Sequence, residues 1–171
     1  MSAIVEAAQY LTFRLDEELF ALDIDKVREV LEFSSITRVP RTPDFMRGVI
    51  NLRGNVVPVV DLKLKLGLSR TEKTIDTCVV ITEVCVDGES VVLGALADSV
   101  QEVLELEPGQ IDPPPRMGNR IDASCIRGMG KRDDRFLIIL DIDRVLSPEE
   151  LRSVTADRPP APPERVAEAF A

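Results

Sequence analysis

Asp141 and Asp143 stand two residues apart in an apolar run. On a strand that spacing puts both carboxylates on one face, as a carboxylate-dependent enzyme would need for acid–base work. The rest of the chain gives such chemistry little support. There is no histidine among its 171 residues, which removes a phospho-accepting imidazole, His-based proton transfer and most zinc or iron sites together. Cys78, Cys85 and Cys125 are an odd set without ligand spacing, and no phosphate-binding glycine loop is present. No cofactor is expected. What remains is recognition by charge, with Arg53 the single cation at the tip of an apolar segment; the plainer alternative is a solvated turn residue, because exposed charges mostly matter little.

The element that must position Arg53 is a β-hairpin. Gly48 to Leu52 and Val56 to Leu62 are apolar, largely β-branched runs of strand length, and Arg53-Gly54-Asn55 between them tolerates positive φ in a tight turn. Pro58 has no N–H for a ladder, which predicts an edge strand or a bulge.

The chain then repeats itself. Met46-Arg47-Gly48-Val49 returns 80 residues later as Ile126-Arg127-Gly128-Met129, and Val59-Val60-Asp61-Leu62 as Ile139-Leu140-Asp141-Ile142. Lys26 to Phe33 returns as Ser99 to Leu106 at an offset of 73, the difference being a seven-residue insertion around Met117 to Ala123. A duplicated unit follows, and it separates scaffold from site. A residue found in both halves is required by the fold: Arg47 with Arg127 and Asp61 with Asp141 read as structural, which also weakens the paired-carboxylate enzyme. Glu29 recurs as Glu102, whereas Arg53 falls opposite Asp133, a reversed charge.

Composition bounds the partner. A net charge of −9 works against nucleic acid or an anionic membrane surface, and one Tyr with six Phe leaves no basic aromatic face for single strands. No apolar run approaches the ~18 residues of a membrane span, and no signal-peptide pattern opens the chain, so a cytosolic protein with reduced thiols is expected. A protein partner fits best.

In chain order, 1–8 reads as a tail. Gln9 to Leu15 alternates as a half-buried strand, with Leu11, Phe13 and Leu15 on the buried side, and Leu19 to Ile24 as a second. Asp25 to Phe33 mixes helical and strand spacing and is read as one helical turn followed by a strand. Leu66 to Lys73 is a polar seam between halves of about 9–68 and 76–146. Ser147-Pro148-Glu149-Glu150 predicts a capped helix over 147–154, and 155–171 a Pro-rich, disordered tail. Many short strands in two similar halves predict a mainly β protein of two small barrels sharing a hydrophobic contact.

The run Val27-Arg28-Glu29-Val30, then Thr37-Arg38-Val39-Pro40, Phe45 to Gly54 and Val57 to Leu62 resembles the CheW family of chemotaxis coupling proteins, and Ala97 to Leu104 with Ile138 to Ile142 resembles the family's second half. The resemblance implies two five-stranded SH3-like barrels and a non-enzymatic adaptor. Its implied partners are the cytoplasmic coiled-coil tip of a chemoreceptor, met in a groove between the subdomains, and the regulatory domain of the CheA histidine kinase, at receptor arrays on the inner face of the membrane. Positions matching Val27, Glu29, Gly48, Arg53 and the adjacent Gly54 are implied in receptor binding, and the loop carrying Arg116, Met117, Asn119 and Arg120 in kinase contact. The resemblance leaves open whether the output is flagellar, pilus-based or another two-component pathway.

Overall fold

A computed structural model describes residues 7–33, 36–86, 88–113, 125–132 and 134–150. The strands are β1 (Ala8–Leu15), β2 (Glu18–Asp23), β3 (Val27–Glu32), β4 (Met46–Leu52), β5 (Asn55–Asp61), β6 (Cys78–Val86), β7 (Glu89–Ala97), β8 (Ser99–Leu106), β9 (Ile111–Asp112), β10 (Ile126–Arg132) and β11 (Arg135–Leu140). Two one-turn helices, α1 (Leu62–Lys65) and α2 (Ile142–Val145), follow β5 and β11, and a 3-10 turn at Ile24–Lys26 leads into β3, the helical turn then strand expected there. The first strand starts at Ala8, within the segment read as tail.

The strands form two sheets, ordered β8-β1-β2-β11-β10-β9 and β3-β6-β7-β5-β4. One has the expected five strands; the other adds the two-residue β9. The sheets do not follow the duplicated halves at 9–68 and 76–146. Instead β1 and β2 join β8 to β11, while β6 and β7 join β3 to β5. Each half lends its first hairpin to the other. The exchange is symmetric: Val59 of β5 pairs in parallel with Gly94 of β7, and the repeat-related Ile139 of β11 with Ala21 of β2. Similar halves present similar strand edges, so closing each sheet with the other half's hairpin satisfies the same ladder while tying the two together.

Four β-bulges decide where the side chains go. In β3 the register shifts between Val27 and Glu29, in β4 between Met46 and Gly48, and in β10 between Ile126 and Gly128, while β1 and β8 slip between Leu11 and Phe13. One extra residue reverses the inside-out alternation of a strand. Val27 therefore packs on the core shared between the sheets, and Leu31, four residues on, on the separate interior of its own sheet. The shared core is the larger body and joins Leu11, Phe13, Leu15 and Phe20 to Val60, Leu62, Val80 and Leu93. Smaller interiors form around Tyr10, Leu106 and Ile139 in one sheet and Val57, Val59 and Ile81 in the other. β1 is accordingly buried on both faces, Tyr10 and Thr12 included, where half-burial was expected.

Pro58 lies in β5, which is not an edge strand. Counting back from the two-residue turn, its pair with Val49 falls at a non-hydrogen-bonded position, and pairing to β7 begins only at Val59. The missing N–H thus faces a stretch where no ladder bond is due. The connector after α1 is no loose seam either: Leu66 and Thr71 are buried. At the far end the Ser147–Glu150 capping box forms in both directions, at 2.9 and 3.1 Å. The remainder of that helix, residues 151–154, and the 155–171 tail lie outside the described residues.

Candidate functional site

The β4–β5 turn consists of Arg53 and Gly54 at φ 52° and 89°, both positive, as a tight hairpin turn of the primed kind requires. Asn51 fastens it by accepting a hydrogen bond from the Gly54 N–H at 2.8 Å. So held, Arg53 projects from the turn with its side chain 69% exposed and forms an ion pair with Glu29 of β3. Glu29 reaches that position because the bulge at Arg28 has turned the strand; Arg28 itself pairs loosely with Glu83 at 3.5 Å.

Beneath this pair opens a groove of about 400 Å³, bordered by Arg28, Glu29 and Arg53 and floored by Leu52, Val57, Ile81 and Val92. The floor belongs to the interior of the β3–β7 sheet, so the groove is the mouth of that barrel and every lining residue lies within it. Val56, 41% exposed, stands at its edge. An apolar floor rimmed by a charge pair suits an amphipathic helix or strand from another protein.

The residues implied by resemblance separate here. Glu29, Arg53 and Gly54 come together at the groove. Val27 does not line it, since its half-buried side chain packs on the shared core. Gly48 is buried at φ 145°, and a Cβ there would stand 2.2 Å from the Thr37 carbonyl oxygen, so its role is to let two backbones approach. The groove residues Val91 and Val92 had no distinguishing signal in the sequence, being ordinary strand valines. Arg116, Met117, Asn119 and Arg120 lie outside the described residues, as does Asp133.

Of the repeated polar residues, Arg47 and Asp61 form a buried structural network, while Arg127 is exposed and contacts Asp23 at 3.6 Å. Asp61 is fully buried and accepts from the Lys63 N–H at 3.1 Å, the Thr71 N–H at 3.0 Å and the Thr71 hydroxyl at 2.7 Å, while Arg47 pairs with it at 3.1 Å. Its counterpart Asp141 caps α2 by accepting from the Asp143 N–H at 3.2 Å. Asp143 sits in the helix, not on a strand beside Asp141, and its oxygens are taken by Lys26 at 2.8 Å and the Cys85 N–H at 2.8 Å. The two carboxylates therefore cap and clamp, and share no catalytic face. In α1, buried Lys63 binds Asp16 at 2.6 Å and Asp98 at 3.2 Å. Burial pushes the Lys63 ammonium down, but the hydrogen bonds it donates to the two aspartates outweigh that and raise its pKa above the usual 10.5.

Two strand-exchanged barrels with a charge-rimmed apolar groove define a binding scaffold. A sequence profile described as the CheW-like domain matches residues 9–150. The chain is 36% identical over 146 residues to the chemotaxis protein CheW of Klebsiella aerogenes, covering 85% of this chain and 86% of that one. It is 36% identical over 140 residues to CheW of Thermotoga maritima, covering 81% and 87%. The scaffolding protein TtCheW of Thermoanaerobacter tengcongensis superposes with a TM-score of 0.74 at 36% identity over 84% of this chain and 94% of that one. This chain belongs to the CheW-like domain family, and like its relatives it is a non-enzymatic chemotaxis adaptor of mainly β structure with two SH3-like subdomains. No helix among the described residues is long and apolar enough to cross a membrane.

Proposed function

We propose that this adaptor couples the cytoplasmic coiled-coil tip of a chemoreceptor to the regulatory domain of a CheA-type histidine kinase, in the cytoplasm at receptor arrays on the inner face of the membrane. The observation that carries this reading is the Glu29–Arg53 pair on the rim of an apolar groove. One receptor helix would lay its apolar stripe on Val57, Ile81 and Val92, and the rim charges would fix its orientation, contributing register and rate more than affinity. The kinase would be met elsewhere, by the loop carrying Arg116, Met117, Asn119 and Arg120. Coupling is then geometric: the exchanged hairpins and the shared core make the two barrels one body, so a movement at one surface is delivered to the other.

The test is calorimetric titration of the full chain with the purified kinase regulatory domain and, separately, with a receptor cytoplasmic fragment. Saturable binding to both, with Arg53→Glu weakening only the receptor arm, supports the assignment. Absence of heat with either partner at roughly tens of micromolar overturns it.

A further inference from the structure

Outside the groove, the loop before β4 forms a second concavity. A cleft of about 630 Å³ is bordered by Arg38, Arg41, Arg47 and Arg70 over Met46 and Leu64. Arg47 is spent on Asp61 and on the Thr71 carbonyl at 2.9 Å. Arg38, Arg41 and Arg70 are exposed and make no ion pair or side-chain hydrogen bond with any described residue. Asp44 also lines the cleft, but guanidinium groups outnumber it. In a chain of net charge −9, such a gathering of unpaired cations is out of character.

The loop that presents Arg38 and Arg41 is tied down by its own hydrogen bonds. Pro40 and Pro43 fix two φ angles, the Thr42 hydroxyl donates to the Val39 carbonyl at 2.8 Å, and the Met46 N–H donates to the Pro43 carbonyl at 2.9 Å. Thr37 and Val49 exchange backbone hydrogen bonds at 2.9 and 2.8 Å. Arg41 itself is held at φ 63°, a left-handed conformation that few non-glycine residues adopt.

The duplication supplies an internal control. Thr37 pairs with Val49 as Asp112 pairs with Met129, so Arg38 becomes Pro113, and Arg70 becomes Glu150. The barrel therefore does not need Arg38 or Arg70, whereas Arg47, bound to the buried Asp61, recurs as Arg127. By the same test Arg53, opposite Asp133, is not required by the barrel.

We propose that this cleft binds a short acidic peptide segment of a protein partner, its carboxylates on Arg38, Arg41 and Arg70 and an apolar side chain on Met46 and Leu64. Planar guanidinium groups match carboxylates in two-point contacts. The apolar floor distinguishes a peptide from free phosphate, which needs only donors. A nucleic acid, with a charge every few ångströms, would meet the repulsion of the acidic molecule beyond the cleft. The site is independent of whether the groove takes a receptor helix.

The experiment is a titration of the isotope-labelled full chain, followed by amide shifts, with an acetylated and amidated octapeptide of alternating Glu and Leu. Saturable shifts confined to residues 37–47 and Arg70, weakened by added salt, are expected. The triple variant Arg38→Gln, Arg41→Gln, Arg70→Gln should retain the native spectrum, since all three side chains are exposed, and lose affinity by about tenfold or more. Arg53→Gln should bind the peptide unchanged. The proposal is overturned by absence of shifts, by unaltered binding to the triple variant, by shifts at Glu29 and Arg53 instead, or by inorganic phosphate or a short DNA duplex producing the same shifts at equal or lower concentration.

Discussion

Arg53 and Glu29, 24 residues apart in the chain, meet as an ion pair across the mouth of the β3–β7 barrel. Because Arg53 is mostly exposed, the pair is worth less than about 1 kcal/mol to the fold. Arg53→Glu places two carboxylates together on the rim, so it should leave the melting temperature within a few degrees of the parent and reduce receptor-fragment binding about tenfold. Differential scanning calorimetry beside the binding titration separates the two effects. A collapse of stability with intact binding would make Arg53 a structural residue.

Gly48 and Gly128 are repeat partners with unequal constraints. A Cβ at Gly48 meets the Thr37 carbonyl oxygen at 2.2 Å and φ is 145°, whereas at Gly128 the nearest atom is the Asp112 carbonyl oxygen at 2.9 Å. Gly48→Ala should cost roughly 2–5 kcal/mol and Gly128→Ala clearly less. Urea midpoints of the two variants rank them, and the reverse ranking would refute the contact geometry. Any loss of receptor binding in Gly48→Ala should track unfolding.

Asp61 and Asp141 are likewise partners whose burial has diverged. Asp61→Ala strands Arg47 beside a buried void and should cost roughly 3–5 kcal/mol. Asp141→Ala removes a helix cap from a carboxylate 31% exposed and should cost about 1 kcal/mol. Equal losses by chemical denaturation would show that the buried network adds nothing.

Glu150 ties the last described turn to the first half, accepting from Lys65 at 2.5 Å and from the Ser147 N–H. Burial pushes its carboxyl up, but the hydrogen bonds from Lys65 and Ser147 outweigh it and hold its pKa below the usual 4.5. A carboxyl depressed in the folded state stabilises it above the unfolded pKa and loses that contribution as pH falls through the lower, folded value. Stability of the parent should therefore decline below about pH 4.5 by more than that of Glu150→Gln. Parallel declines in the two proteins would remove Glu150 from the acid response.

Much of this molecule was legible from residue order. The hairpin at Arg53-Gly54, the repeat, the structural reading of Arg47 and Asp61 and the capping box at Ser147 each depend on residues within a few positions of one another or on identity between halves. Strand 25–33 was ambiguous for a physical reason: Val30 is an apolar residue on the exposed face of β3, so Val27, Val30 and Leu31 together imitate helical spacing. Asp143 was misplaced beside Asp141 because a capping carboxylate and a strand carboxylate look alike in a sequence.

The sequence by itself determined a duplicated, histidine-free, Val- and Leu-built β protein with one unrepeated arginine at a hairpin tip, because alternation, turn chemistry and repetition are local properties. Only the tertiary structure decided that the halves exchange hairpins, that Val27 and Gly48 serve packing while Glu29 joins Arg53, and that Arg38, Arg41 and Arg70 share a cleft. Those outcomes depend on which of two nearly equivalent strand edges pair and on where a bulge reverses a strand's faces, and such choices are settled by the summed burial of the whole core.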